Sequence, residues 1–220
     1  MRVLAASDFH GDAKVFREVA SKVKDSRADI VVVCGDITHF GSVQEAKALL
    51  EPLVKLRLPV LFVPGNCDPP SLTGVDIEGA HCIHGSCEVY GNMTFVGVGG
   101  ALISPFYTPF EITEEQIEEI LNRGFEQAVE RRWLVLVSHH PPKDTKLDTV
   151  YSGEHIGSSA VRQFIEKNKP SVVFCGHVHE ATGIDHIGDT LIVNPGPARH
   201  GSYALADLDE KIEVKLKSLY

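Results

Sequence analysis

Five short apolar runs along the chain each give way abruptly to Gly or Ser together with Asp, Asn or His. They lie in Arg2–Ser7 (RVLAAS), Asp29–Asp36 (DIVVVCGD), Pro59–Asp68 (PVLFVPGNCD), Trp133–Pro142 (WLVLVSHHPP) and Pro170–Cys175 (PSVVFC). Runs of this length, rich in Val, Ile and Leu and stopped by turn residues, predict strands buried on both faces. Between the first two, Val15, Phe16, Val19, Ala20 and Val23 recur at helical spacing and predict a helix over 13–24. A second helix is predicted over Ser42–Leu56, with Ser42 as its N-cap. Strand, helix, strand, helix, strand is the order of a parallel sheet with covering helices.

The middle of the chain changes period. Residues 75–100 alternate over short stretches broken by Gly79, Gly85, Gly91 and Gly97, which predicts antiparallel hairpins. Within them, His81–Cys87 (HCIHGSC) reads as a strand pair turning near Gly85-Ser86. Ala101–Glu111 is a proline-punctuated loop too apolar for a solvated linker, and it offers a surface that an interface would bury. Thr113 and Gln116 form a capping-box pattern for a helix running to about Glu130. Residues 143–157 predict a long irregular segment of the kind that borders a site. A helix over 157–168 follows, and the tail from about 181 to 218 alternates again in TLIVNPG, GSYALADL and KIEVKLKSL. With no internal repeat, low-complexity tract or linker, residues 1–220 read as one α/β domain with parallel and antiparallel strands interleaved.

The five run endings are Ser7-Asp8-Phe9-His10, Gly35-Asp36, Gly65-Asn66-Cys67-Asp68, Ser138-His139-His140 and Gly176-His177-Val178-His179. His177 and His179 share a face in extended backbone, where side-chain direction alternates. One Asp at a strand end is commonly a cap or turn residue. Five endings all built from Asp, Asn and His go beyond capping. In open sheets with helical crossovers, ligands bind beyond the carboxyl ends of the strands, so these residues should converge.

Composition narrows the classes. The 220 residues with 43% hydrophobic content suit one sizeable core, and no apolar run is long enough to cross a bilayer. The N-terminus meets polar residues too soon for a signal-peptide core. Thirty acidic against 21 basic residues, a net charge of −9, argue against a nucleic-acid-coating surface. Five scattered cysteines (Cys34, Cys67, Cys82, Cys87, Cys175) suit reduced thiols and a cytoplasmic protein. HCIHGSC has no second Cys/His pair downstream at finger spacing, so a structural zinc site is not expected there. Asn92 matches a glycosylation acceptor, which means nothing without secretion.

The ordered set D-x-H, G-D, G-N-x-D, H-x-P, G-H-x-H resembles the calcineurin-like metallophosphoesterases and spans nearly the whole chain. The resemblance implies a four-layer sandwich of two mixed β-sheets flanked by α-helices. Length and the GNCD variant make the chain similar to small prokaryotic members. Carried over residue by residue, the resemblance gives one metal ion to Asp8, His10 and His179. The second goes to Asn66, His139 and His177, and Asp36 bridges both. His139 is favoured over His140 because the family ligand stands two residues before the first proline. Imidazole with carboxylate or carboxamide oxygen suits Mn²⁺ first, with Ni²⁺, Fe, Co²⁺ or Zn²⁺ as alternatives. Two such ions about 3.5–4 Å apart stabilise both attacking and leaving oxygens. Two divalent ions against Asp8 and Asp36 leave a formal surplus of about two positive charges, which attracts a phosphate anion despite the acidic chain.

The implied activity is hydrolysis of a small phosphoester, foremost a phosphodiester, by a metal-bridging hydroxide. Asp36, Asn66, Cys67 and Asp68 are the catalytic candidates, and Asn66, His140 and Arg199 the candidates for substrate contact. His140 stands open between outer-shell, substrate-facing and plain loop roles. Arg199 in NPGPARHG and His155 in YSGEHIGSS are equally open between pocket and loop surface. Cys67 departs from the family pattern, which has a histidine assigned to phosphate contact and leaving-group protonation. A neutral thiol is a poor donor there, so esters with acidic leaving groups should suffer least. Asp68 would ordinarily orient that histidine; with Cys67 in its place, a turn-capping role is the alternative. The competing reading is a non-catalytic scaffold resembling the phosphoesterase-like retromer subunit, whose site is degenerate. Here all seven ligand positions keep metal-binding side chains, which favours an enzyme. No membrane partner is expected, and the sequence does not disclose an oligomeric one.

Overall fold

The computed structural model describes residues 1–129 and 133–220. The apolar runs form the centres of two six-stranded mixed sheets. In the first, β1 (Arg2–Ala6), β2 (Ile30–Val33), β3 (Val60–Phe62) and β4 (Ala80–Cys82) run parallel. The antiparallel pair β13 (Ser202–Leu208) and β14 (Ile212–Ser218) extends that sheet beside β1. In the second, β6 (Met93–Val98), β9 (Trp133–Ser138), β10 (Val172–Phe174) and β12 (Thr190–Asn194) are parallel. Its edges are β5 (Cys87–Tyr90) and β11 (Gly183–Ile187), both antiparallel to their neighbours. A small parallel pair, β7 (Ala101–Leu102) and β8 (Glu111–Ile112), closes the proline-rich loop.

Side-chain alternation divides the core into three layers of apolar packing. Leu4, Ala6, Val31 and Val33 face α1 (Ala13–Ser26) and α2 (Val43–Val54), meeting Phe16, Val19 and Leu50. Val3, Ala5, Val32 and Leu61 point the other way and pack between the sheets against Phe95, Val135, Val137 and Phe174. Val96, Leu136 and Val173 face α3 (Glu114–Glu126) and α4 (Ser159–Asn168), where Ile117, Leu121, Val161 and Phe164 cover them. Helix, sheet, sheet, helix is the four-layer sandwich that the resemblance implies. Both faces of each central strand are buried, which is why the strands read as unbroken apolar runs. Phe174 is fully buried between the sheets, so Phe174→Ala would cost about 3–5 kcal/mol.

Local chemistry fixes the helix starts. Asp12 caps α1 through the Lys14 and Val15 amides at 2.9 and 3.1 Å. Ser42 caps α2 through Glu45 N, and Ser158 caps α4 through Val161 N. Thr113 and Gln116 make both bonds of the capping box. Among the described residues no helix is long and apolar enough to cross a membrane.

Two expectations are corrected. β4 and β5 do not pair across Gly85-Ser86: β4 joins β3 in the first sheet and β5 joins β6 in the second. The stretch between them carries the chain from one sheet to the other, with buried Ile83 wedged into the inter-sheet core. The hairpin of this region is β5–β6, turning at Gly91-Asn92. Helix α3 stops at Glu126, where Ala128 N turns back onto Phe125 O at 3.1 Å; Glu130 lies outside the described residues. The proline-rich loop buries Phe110 but leaves Ile103, Phe106 and Tyr107 exposed.

Candidate metal centre

All five run endings leave their sheets at one edge, because β1, β2 and β3 are parallel in one sheet and β9 and β10 in the other. The first two loops are tied together by Asp8 N donating to Gly35 O at 3.0 Å and His10 N to Asp36 O at 2.8 Å. Gly176 N donating to His139 O at 3.0 Å does the same for the second sheet. Asp8, His10, Asp36 and His177 all adopt left-handed backbone, with φ of 58°, 47°, 51° and 69°. Asp and His tolerate that region better than most residues, yet the repeated cost marks a site rather than a set of turns. The glycines beside them allow the close approach. A Cβ on Gly176 would stand 2.7 Å from an Asp8 carboxylate oxygen, and one on Gly65 would strike the Asp36 carboxylate and amide.

The side chains form two connected groups. In one, His10 Nε2 lies 3.2 Å from His179 Nε2, which lies 3.3 Å from Asp8 Oδ1. In the other, Asn66 Oδ1 lies 2.9 Å from His139 Nε2 and 2.9 Å from His177 Nδ1. Asp36 stands between them: Oδ2 is 3.6 Å from His10 Nε2 and Oδ1 is 3.6 Å from His139 Nε2. His139 Nδ1 meets the Cys34 carbonyl at 2.7 Å, so it carries the proton and leaves Nε2 as a bare donor to a cation. The seven residues expected to hold metal are therefore brought together.

Electrostatics point to cations. Asp8 and Asp36 are buried, and among the described residues neither pairs with Lys or Arg. Burial works against the Asp8 carboxylate, but the hydrogen bond from His179 and the neighbouring His139 hold its carboxyl well below the usual range. Burial pushes Asp36 up to about 7, with His139 opposing and Asp8 and Asp68 adding to the rise. Two adjacent buried carboxyls cannot both ionise cheaply without added positive charge. Burial also holds His10 down to about 4 and His177 well below its ordinary value, so both present neutral imidazoles. Neutral imidazoles of His10 and His177 beside two buried carboxylates that lack a Lys or Arg partner fit divalent cations.

The other expected residues fall in different places. Asp68 is fully buried: Oδ2 accepts from Gly65 N at 2.8 Å and Ile37 N at 3.0 Å. Its Oδ1 accepts from Thr38 N at 2.7 Å and Thr38 Oγ1 at 2.9 Å. Burial pushes this carboxyl up and the four donors pull it back. It pins the loops after β2 and β3 to one another and has no contact left for residue 67. The Cys67 thiol is pushed far up by burial and by the Asp36 charge, so it is neutral. His140 is buried, with Nε2 on the Ile156 carbonyl at 2.8 Å and its ring 4.7 Å from that of His177. His140 thus packs against one of the residues expected to hold metal.

Arg199 lines an open cavity of about 490 Å³ with Phe9, His10, Asp12, His39 and His200. His155 meets the buried Asp148 carboxylate at 2.8 Å and braces the loop of 143–157. His39 was not singled out by the endings. Its only sequence signal is an imidazole three residues after Asp36.

A sandwich of two mixed sheets with this donor set at the shared strand ends defines a metallophosphoesterase. The chain belongs to the calcineurin-like phosphoesterase family, whose model matches residues 1–181. It is 38% identical over 209 residues to an uncharacterised protein of Methanocaldococcus jannaschii, covering 92% of this chain and 91% of that one. It is 24% identical to a "probable cyclic nucleotide phosphodiesterase" of Vesicomyosocius okutanii, over 83% of this chain and 76% of that protein. Its fold matches the crystal structure of a dimetal phosphatase from Danio rerio with a TM-score of 0.66 at 15% identity, covering 100% of this chain and 96% of that one.

Proposed function

We propose that residues 1–220 form one cytoplasmic dinuclear phosphoesterase domain acting on small phosphate esters, with phosphodiesters foremost. The observation that carries this is the placement of Asp36. Its two oxygens address two separate donor groups, Asp8–His10–His179 and Asn66–His139–His177, as a bridging carboxylate must. Mn²⁺ fits the mixed imidazole and oxygen set first. Two divalent ions held there supply an activated water nucleophile and neutralise charge building on the phosphoryl oxygens. The printed descriptions of the V. okutanii and D. rerio proteins support diester substrates and two metals respectively.

The chain's own residues then do the rest. The Cys34 carbonyl fixes the His139 tautomer, and Asp68 fixes the loops that carry Asp36 and Asn66. Arg199 faces the open cavity, where its guanidinium can hold phosphoryl oxygens. Cys67, neutral and buried, gives no proton to the leaving oxygen, so acidic leaving groups are favoured.

The test is reconstitution with Mn²⁺, metal counting, and assay on mono-, di- and cyclic phosphoesters. Two ions per chain and diester hydrolysis are expected, with Asp36→Asn losing both. Hydrolysis at the native rate in Asp36→Asn, or no more than trace metal after reconstitution, overturns the reading.

A further inference from the structure

The family histidine that would touch phosphate is replaced by Cys67, yet an imidazole stands beside that cysteine. A ring nitrogen of His39, one of His10 and the Cys67 sulfur all lie within 4.8 Å of one another. His39 is exposed, but its backbone is fixed on both sides: Thr38 N donates to Asp68 at 2.7 Å and Phe40 N to Cys67 O at 2.9 Å. Its ring leans on Phe40, with centroids 4.5 Å apart, and borders the cavity that also holds Arg199.

The hydrogen on His39 can be assigned. His10 Nε2 faces His179 and Asp36, so in the metal-holding site His10 carries its hydrogen on Nδ1. That Nδ1 lies 3.4 Å from His39 Nδ1, which must then accept. An accepting Nδ1 leaves the ring hydrogen on Nε2, at the far side of the ring.

We infer that His39 replaces the missing phosphate-contacting imidazole, bracing the ligand His10 through Nδ1 and donating Nε2–H to a phosphoryl oxygen held opposite Arg199. The substrate half of this rests on the phosphoesterase reading; the brace on His10 does not. Outer partners of metal-ligating histidines typically govern about 10–100-fold in metal affinity. The role needs one acceptor and one donor and no net charge, so a carboxamide can replace the imidazole.

The experiment compares wild type, His39→Ala, His39→Gln and the double variant His39→Ala/Cys67→His. Mn²⁺ affinity is measured by chelator competition, and kcat and KM on bis(4-nitrophenyl) phosphate at saturating Mn²⁺. His39→Ala should weaken Mn²⁺ binding about tenfold and raise KM about tenfold or more, with a smaller fall in kcat. His39→Gln should recover both to within about threefold. The double variant should recover KM but not Mn²⁺ affinity, because an imidazole at position 67 cannot reproduce the brace. Unchanged Mn²⁺ affinity and KM in His39→Ala, or a Gln variant no better than Ala, overturns the inference. Wild-type protein that binds Mn²⁺ but hydrolyses no ester would sink the phosphoesterase reading while the affinity comparison still judges His39 as the brace.

Discussion

Replacing Asp68 by Asn tests whether the loops of the site are held by one buried carboxylate. The amide group must face one of two donor pairs. Turned toward Gly65 N and Ile37 N it leaves two N–H groups without an acceptor. Turned toward Thr38 it leaves one, because the Thr38 hydroxyl can rotate to accept. The second orientation is therefore adopted. It strands one buried N–H, at about 1–3 kcal/mol, and weakens two charge-assisted bonds by about 1 kcal/mol each. Relief from burying a charge returns part of this, leaving a net loss of about 2–4 kcal/mol. A domain with about 5–15 kcal/mol of stability still folds after such a loss. Urea unfolding should show a lower midpoint at unchanged slope. Because the same carboxylate positions Asp36 and Asn66, Mn²⁺ affinity should fall with it. A stability change below about 1 kcal/mol together with native metal affinity would refute the assignment.

Three further outcomes follow from the site. Cys67→Ala should cost less than about tenfold on any ester, and log rate should fall steeply with leaving-group pKa in both proteins; a thousandfold loss with metal retained would make the thiol catalytic. Gly65→Ala should abolish metal binding while lowering stability by about 1–3 kcal/mol, since its Cβ meets the Asp36 backbone as well as the carboxylate; calorimetric titration with Mn²⁺ decides this. Burial holds His10, His84 and His140 down to about 4 and His177 well below its ordinary value. Their contribution is complete above about 6.5 and is lost as pH falls toward 4, whereas Asp36, raised to about 7, and Asp68, His155 and His179, also raised, oppose it. Protein without added metal should therefore be less stable to urea at pH 4.5 than at pH 7.5, and equal midpoints would contradict the burial of these rings.

The parallel strands and the convergence of their endings were legible because strands buried on both faces leave unbroken apolar runs that stop at Asp, Asn and His; the four-layer sandwich and the division of seven donors between two ions came from the family resemblance. The crossing at residues 83–86 was not legible. Alternation reports which face a residue occupies, not which sheet its strand joins, and the three residues of β4 are too few to show a crossover. The partners of Asp68 were not legible, because the pattern supplies only a role beside a histidine that this chain lacks. His140 and His39 show the same limit from opposite sides. One sits in a motif and is buried against Ile156 and His177; the other sits outside every motif and lines the cavity.

The donors are divided between the sheets, with Asp8, His10, Asp36 and Asn66 from the first and His139, His177 and His179 from the second. Neither sheet alone presents a complete set for either ion, and Asp36 finds its two histidine neighbours on opposite sides of the division. If the proposed ions bind there, cation capture would report on finished assembly: a chain emerging from the ribosome could not retain them until residue 179 has been made and the second sheet has docked. Ions held there would rivet the two halves at one edge, so separating the sheets would require releasing metal first. Hydrogen exchange should then slow together in β1 and β10, which share no backbone ladder.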